Sequence, residues 1–247
     1  MSGPVALRSE RLLRFFEGAF RRQFAGSFCA LRLARWGEPD APLGRPLIVL
    51  ANHPGWWDGV LVLLATRSLF PDRSSFVPMD AVALQKYGFL RRLGAFGVEQ
   101  HSPRGARHFL ATAKEVLADP RHLLWVNAPG RFADVRERPV PLAPGILRLP
   151  RLAPEAVILP LAVEYTHWTE KRGEALMAFG PPVEATDEEG LRTALTAVMD
   201  RLAADAISRD PARFRVVIGG GRGMGGIYGL WQRLRFAPEH DPSAREG

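Results

Sequence analysis

The sequence predicts an α/β fold: a single sandwich-like domain with a mostly buried mixed sheet flanked by helices, preceded by an amphipathic N-terminal helix. Three observations carry this reading. Leu47–Ala51 is a fully apolar run and residues 157–165 the longest mainly apolar one, the pattern of strands covered on both faces. The segments between them show helical spacing and helix-start signals. Strands and helices alternate along the chain with no internal repeat, which places helices against a largely buried sheet.

The elements follow in order. Residues 5–36 read as one long helix, because Leu12, Phe16, Phe20, Phe24 and Phe28 recur every fourth position. Arg8, Arg11, Arg14, Arg21, Arg22, Arg32 and Arg35 fall mainly on the opposite arc, the division expected of a helix lying in a membrane interface. Residues 37–46 form a loop. Leu47–Ala51 is then a strand, 52–55 a polar turn and 59–66 a helix. Residues 75–79 and 94–99 are short strands. Ser102 and Pro103 open a helix that turns Ala106, Phe109, Leu110, Ala113, Val116 and Leu117 inward and stops near Asp119-Pro120. Residues 122–126 are a strand leading into the irregular, basic stretch 127–144. Strands at 157–165 and 175–179 follow. Thr186-Asp187-Glu188-Glu189 has capping-box form and starts a helix to about Ile207, and 214–218 is the last strand. The chain divides into an N-terminal helix (1–36), a main domain (37–218) and a Gly-rich, basic-aromatic tail (219–247).

The formal net charge is +7, and all but Lys86, Lys114 and Lys171 of the 33 basic residues are arginines. Such a surface suits nucleic acid, anionic lipid headgroups or an acidic substrate. Cys29 is the only cysteine, so no internal disulfide forms and a reducing compartment fits. Charged residues interrupt the N-terminus where a signal peptide needs an apolar core, and no run is long enough to span a bilayer. The expected location is cytoplasmic, peripheral on the cytoplasmic face of a membrane.

His53 and Asp58 hold the chemistry. Five residues apart with Pro54 and Gly55 between them, they meet across a tight turn from a strand end into a helix start, rather than on one helix. A carboxylate on one imidazole nitrogen fixes the tautomer and makes the other nitrogen the stronger base, the pair that activates a hydroxyl. On spacing alone, a turn histidine beside a capping aspartate is the more common source of such a pattern.

The surrounding blocks add to this. Asn52-His53-Pro54-Gly55-Trp56-Trp57-Asp58 resembles the Asn-His-x4-Asp motif of the glycerolipid acyltransferases, the lysophosphatidic acid acyltransferase family. Gly94-Ala95-Phe96-Gly97-Val98-Glu99-Gln100 is similar to the family's Gly-x-x-Phe-x-Asp-Arg block. Trp125-Val126-Asn127-Ala128-Pro129-Gly130-Arg131 occupies the place of its Phe-Pro-Glu-Gly block, and Val157-Ile158-Leu159-Pro160-Leu161-Ala162-Val163 that of its proline-interrupted strand. Together they cover about half the chain.

The resemblance implies a glycerol-3-phosphate acyltransferase-like fold and transfer of a fatty acyl group from acyl-CoA or acyl-carrier protein to the hydroxyl of a lysophospholipid or related lipid acceptor. His53 is then the general base and Asp58 its orienter. Asn52, Gly55, Trp56, Trp57, Arg104, Pro129, Gly130 and Arg131 are the expected substrate-binding residues, with backbone N–H groups around Gly130 as oxyanion donors. Trp56 and Trp57 line the acyl channel, enter the lipid interface or serve as core aromatics. No metal and no resident cofactor are implied. Gln100 and Pro129 depart from the family, standing where it usually has arginine and glutamate, residues associated with a phosphate-bearing acceptor; Arg131 and Arg104 remain for an anion.

Other signals are weaker. Gly221-Arg222-Gly223-Met224-Gly225-Gly226 fits a dinucleotide fingerprint, but too little chain follows for the rest of that fold. Tyr228, Trp231, Arg233 and Arg235 suggest a second membrane contact. His101, His108, His122, His167 and His240 lack metal-ligand spacing, and no G-x-S-x-G elbow occurs. Glu164 and His167, at the end of a strand, are candidates for the acceptor side. The competing class is a non-catalytic lipid- or acyl-chain-binding protein on the same fold. A nucleic-acid partner is disfavoured, because no reader motif accompanies the arginines.

Overall fold

A computed structural model describes residues 3–184 and 186–221. The tail expected over 219–247, including the fingerprint match and its aromatic residues, lies outside the described residues apart from Gly219, Gly220 and Gly221. The elements are α1 (Pro4–Leu7), α2 (Glu10–Ser27), β1 (Phe28–Ala34), β2 (Leu47–Ala51), α3 (Asp58–Leu69), β3 (Ser74–Asp80), α4 (Ala81–Lys86), β4 (Ala95–Val98), α5 (Pro103–Val116), β5 (His122–Asn127), α6 (Leu149–Leu152), β6 (Val157–Thr166), β7 (Gly173–Phe179), α7 (Glu188–Ser208) and β8 (Phe214–Gly219). Short 3-10 turns sit at Gly88–Leu93, Ile146–Arg148 and Pro211–Arg213.

The strands form one mixed sheet in the order β4-β3-β5-β2-β6-β7-β1-β8. Pairs β3–β4, β3–β5, β2–β5, β2–β6 and β1–β7 are parallel; β6–β7 and β1–β8 are antiparallel. β2 lies near the centre with every residue buried, which explains its unbroken apolar run. Its side chains alternate between two cores. Leu47, Val49 and Ala51 join the layer holding Leu13, Phe24 and the apolar residues of α3, whereas Ile48 and Leu50 join that holding Phe109, Leu195 and Leu202. The result is an α/β/α sandwich with α2 and α3 on one face and α5 and α7 on the other.

The N-terminal helix differs from the expectation. Helix α2 starts at Glu10, capped by Ser9, whose side chain accepts from the Leu12 N–H, and ends at Ser27. Residues 28–34 are instead a fully buried strand between β7 and β8, so the segment 1–36 is partly a component of the sheet. The every-fourth phenylalanine pattern carries on past the helix because Phe28, the C-cap, stacks on Phe24 at 4.9 Å. Arg32, placed by spacing on the basic arc of the expected helix, is buried and forks onto Glu174 of β7 (Nε–Oε2 2.9 Å). A charge so paired is tolerated inside, and spacing alone does not reveal its partner. At the other end of the chain the cap of α7 is Asp187 rather than Thr186.

Candidate active site

The apolar strand β2 ends where Asn52 begins a polar turn. Asn52 is buried, and its amide replaces a strand peptide: Nδ2 donates to the Val163 carbonyl (2.9 Å) and Oδ1 accepts from the Val163 N–H (2.7 Å). This side chain therefore splices the end of β2 to β6. With both its amide nitrogen and oxygen bonded to Val163, Asn52 acts as a brace between the two strands.

The next residue, His53, is held against Asp58 by Nδ1···Oδ2 at 2.5 Å. Asp58 is the first residue of α3, where the helix N-terminus favours its negative charge. Its carboxylate is nearly enclosed and accepts from three donors: His53 Nδ1, the Gly55 N–H at 3.2 Å and the Tyr165 hydroxyl on its other oxygen. The Gly55 carbonyl in turn accepts from the Asp58 N–H at 3.2 Å, closing the turn. An ionised carboxylate only accepts, so Nδ1 bears the proton and Nε2 is left as the base. Tyr165 stands at the end of β6 on the same sheet face as Val163, and burial together with Asp58 pushes its phenol well above the ordinary range. It stays protonated and a donor.

Aromatic rings surround this chain of hydrogen bonds. Trp57 meets Phe28 edge-on at 5.0 Å and Phe24 at 6.4 Å, and Phe28 also contacts Tyr165 at 5.5 Å. Trp57 is thus part of the wall that excludes water from the Asp58 side, whereas Trp56 is 58% exposed.

The loop after β5 reaches the same place from the other direction. The Ala128 N–H donates to the Ala51 carbonyl (2.6 Å) and the Ala133 N–H to the His53 carbonyl (3.0 Å). These two bonds set Phe132 on the His53 imidazole, centroids 4.6 Å apart. Gly130 turns the loop with φ +65°, a backbone conformation that suits glycine. Its own N–H donates to the Asn127 carbonyl at 3.0 Å, whereas the N–H groups of Arg131 and Phe132 have no acceptor among the described residues.

The remaining expected residues are placed as follows. Pro129 is half-buried in this loop, and Gln100 Nε2 donates to the Gly130 carbonyl at 3.3 Å, which brings the second and third sequence blocks together. Arg131 is exposed and forks onto Glu137, with Nη2–Oε1 at 2.5 Å. Arg104 is exposed on the first turn of α5 and makes no hydrogen bond or ion pair among the described residues. Glu164 faces the opposite side of β6 from Tyr165, toward a small cavity lined by Asn52, Val135 and Met199, and burial raises its carboxyl above the usual range. His167 is exposed beyond the end of β6. Neither reaches the His53–Asp58 pair. Sequence reasoning missed Tyr165 and Phe132. Two-residue alternation from Val163 along β6 pointed to the first; nothing local to the sequence pointed to the second.

The arrangement defines a class of site: an imidazole base whose far nitrogen is free, backed by a buried carboxylate and a phenol, at the strand ends of an α/β/α sandwich. Among the described residues no group of three or more potential metal ligands occurs. No family model matches the chain, and no curated protein matches it. Among solved structures it is similar to PlsC, the 1-acyl-sn-glycerophosphate (LPA) acyltransferase from Thermotoga maritima, with a TM-score of 0.48, 18% sequence identity, and 78% of this chain and 79% of that chain covered.

Proposed function

We propose that this chain is an O-acyltransferase, moving a fatty acyl group from the thioester of acyl-CoA or acyl-carrier protein to a hydroxyl of a lipid acceptor. The observation that supports it best is the Tyr165–Asp58–His53 hydrogen-bonded chain, which leaves Nε2 of His53 as the only unoccupied ring nitrogen. Nε2 takes the acceptor's hydroxyl proton as the oxygen attacks the thioester carbonyl. Asp58 stabilises the imidazolium so formed, and the Tyr165 hydroxyl holds Asp58 in place. Collapse of the tetrahedral intermediate expels the thiolate, which takes the proton back from His53, leaving an ester and a free thiol. The free N–H groups of Arg131 and Phe132 are the candidate oxyanion donors; losing one such donor typically costs about 10²–10³ in rate.

A membrane-facing role for the N-terminal segment belongs to the same proposal. Phe15 of α2 is exposed, Phe16 stacks on Phe89 at 4.5 Å, and Tyr87, Phe89 and Val82 add exposed apolar surface near Arg91 and Arg92. Apolar residues ringed by arginines suit an anionic lipid surface. Among the described residues no helix is long and apolar enough to cross a membrane.

The test is release of free thiol from long-chain acyl-CoA, or from acyl-carrier protein, with mixed lysolipids as acceptors. His53→Ala should abolish it with the fold intact. Thiol release by that variant near the wild-type rate would refute the mechanism, and lipid binding without any release by the wild type would favour a non-catalytic lipid binder.

A further inference from the structure

Two exposed aromatic side chains stand next to His53. Phe132 lies on the imidazole and is 59% exposed, and Trp56, in the same turn as His53, is exposed to a similar degree. The cation that precedes Phe132 in sequence does not offset this. Arg131 is forked onto Glu137 and also donates to the Phe132 carbonyl at 3.1 Å, so the loop presents a neutral pair. Gln100 is neutral and occupied by Gly130. A phosphate monoester brought here would have to separate Arg131 from Glu137, or lie near that carboxylate and an aromatic ring with only the backbone N–H groups of Arg131 and Phe132, the same donors the reacting carbonyl would use, to hold it.

We infer that the acceptor is a lipid alcohol with no phosphate next to the reacting hydroxyl, such as a monoacylglycerol or another uncharged lipid, and that Phe132 is the residue that selects it. Phe132 shields the approach to Nε2 from water and gives the carbons flanking the hydroxyl an apolar face to lie on. Arg131 is held out of the site by Glu137. This inference rests on the acyl-transfer reading for its chemistry, but the preference itself can be measured without turnover.

The experiment is equilibrium binding of two short, submicellar probes to the full chain, monooctanoylglycerol and its 3-phosphate, read from the His53 ring resonances by NMR. The glyceride should shift those resonances and bind at least as tightly as the phosphate. Phe132→Ala, a change at an exposed position, should weaken glyceride binding by about tenfold, as expected for the loss of a large aromatic contact. Glu137→Gln, which frees Arg131, should tighten the phosphate probe severalfold and leave the glyceride unchanged. Phosphate binding tenfold or more tighter than glyceride in the wild type would overturn the inference, as would His53 resonances that respond to neither probe. A glyceride preference without thiol release in the turnover assay would leave the acceptor preference standing and remove the acyl-transfer reading.

Discussion

At the scale of single residues the site depends on Asp58 holding three donors at once. Asp58→Asn introduces an amide that can donate, which permits the wrong His53 tautomer; thiol release should fall by orders of magnitude, with about 10⁴-fold the scale seen for the equivalent change in a serine-protease triad. Tyr165→Phe keeps the ring against Phe28 but deletes a hydrogen bond to a charged group, worth about 1.5–3 kcal/mol of stability. It should lower kcat with little change in KM, because Tyr165 touches Asp58 rather than the substrate. Glu164 supplies a test by pH. Its folded carboxyl is raised by burial, so the folded state favours the protonated form; stability is greatest below the ordinary value of 4.5 and declines as pH rises through the raised one. Glu164→Gln should therefore gain thermal stability over the wild type at pH 7 and lose most of that advantage near pH 4, as followed by thermal melts. The sequence made His53 and Asp58 legible because a tight turn brings them together locally. Tyr165 and Phe132 come from segments more than seventy residues away, and only the parallel pairing of β2 with β5 and β6 brings them in.

At the scale of elements the informative case is the N-terminal segment. The periodicity of α2 was readable, as were most strand and helix positions, since each has its own apolar pattern or cap. The switch to β1 at Phe28 was hidden, because the phenylalanine repeat runs through the boundary and Arg32 looks solvated until Glu174 is placed beside it. Glu174→Gln should cost about 3–5 kcal/mol by leaving Arg32 buried without its charge partner, whereas replacing both residues by leucine should restore much of the loss. Denaturant melts of the two variants distinguish this from a solvent-facing arginine, for which both would match the wild type. On α2 itself, Phe15→Glu should reduce flotation with anionic vesicles while leaving the melt unchanged, since Phe15 contributes to the surface rather than to the core.

For the whole molecule, the two cores on either side of the sheet give the site its rigidity. β2 is clamped by parallel neighbours on both edges, and its end delivers Asn52, His53 and the start of α3 in sequence. Two opposing walls then complete the site, the Phe28–Trp57–Tyr165 aromatic layer behind Asp58 and the loop of residues 128–133 in front of His53. The fold class followed from the alternation of strands and helices. The strand order did not, because it depends on pairings such as β1 with β7 that join residues some 140 positions apart. The central claim is that His53 acts as a base on an acceptor hydroxyl. The most direct measurement is acceptor-dependent thiol release from long-chain acyl-CoA by the wild type, His53→Ala and Asp58→Asn at matched folding. If His53 is that base, the wild type releases thiol only when a lipid alcohol is present, His53→Ala releases none above background, and Asp58→Asn retains a small fraction. Equal release by all three proteins, or release that ignores the acceptor, would contradict it.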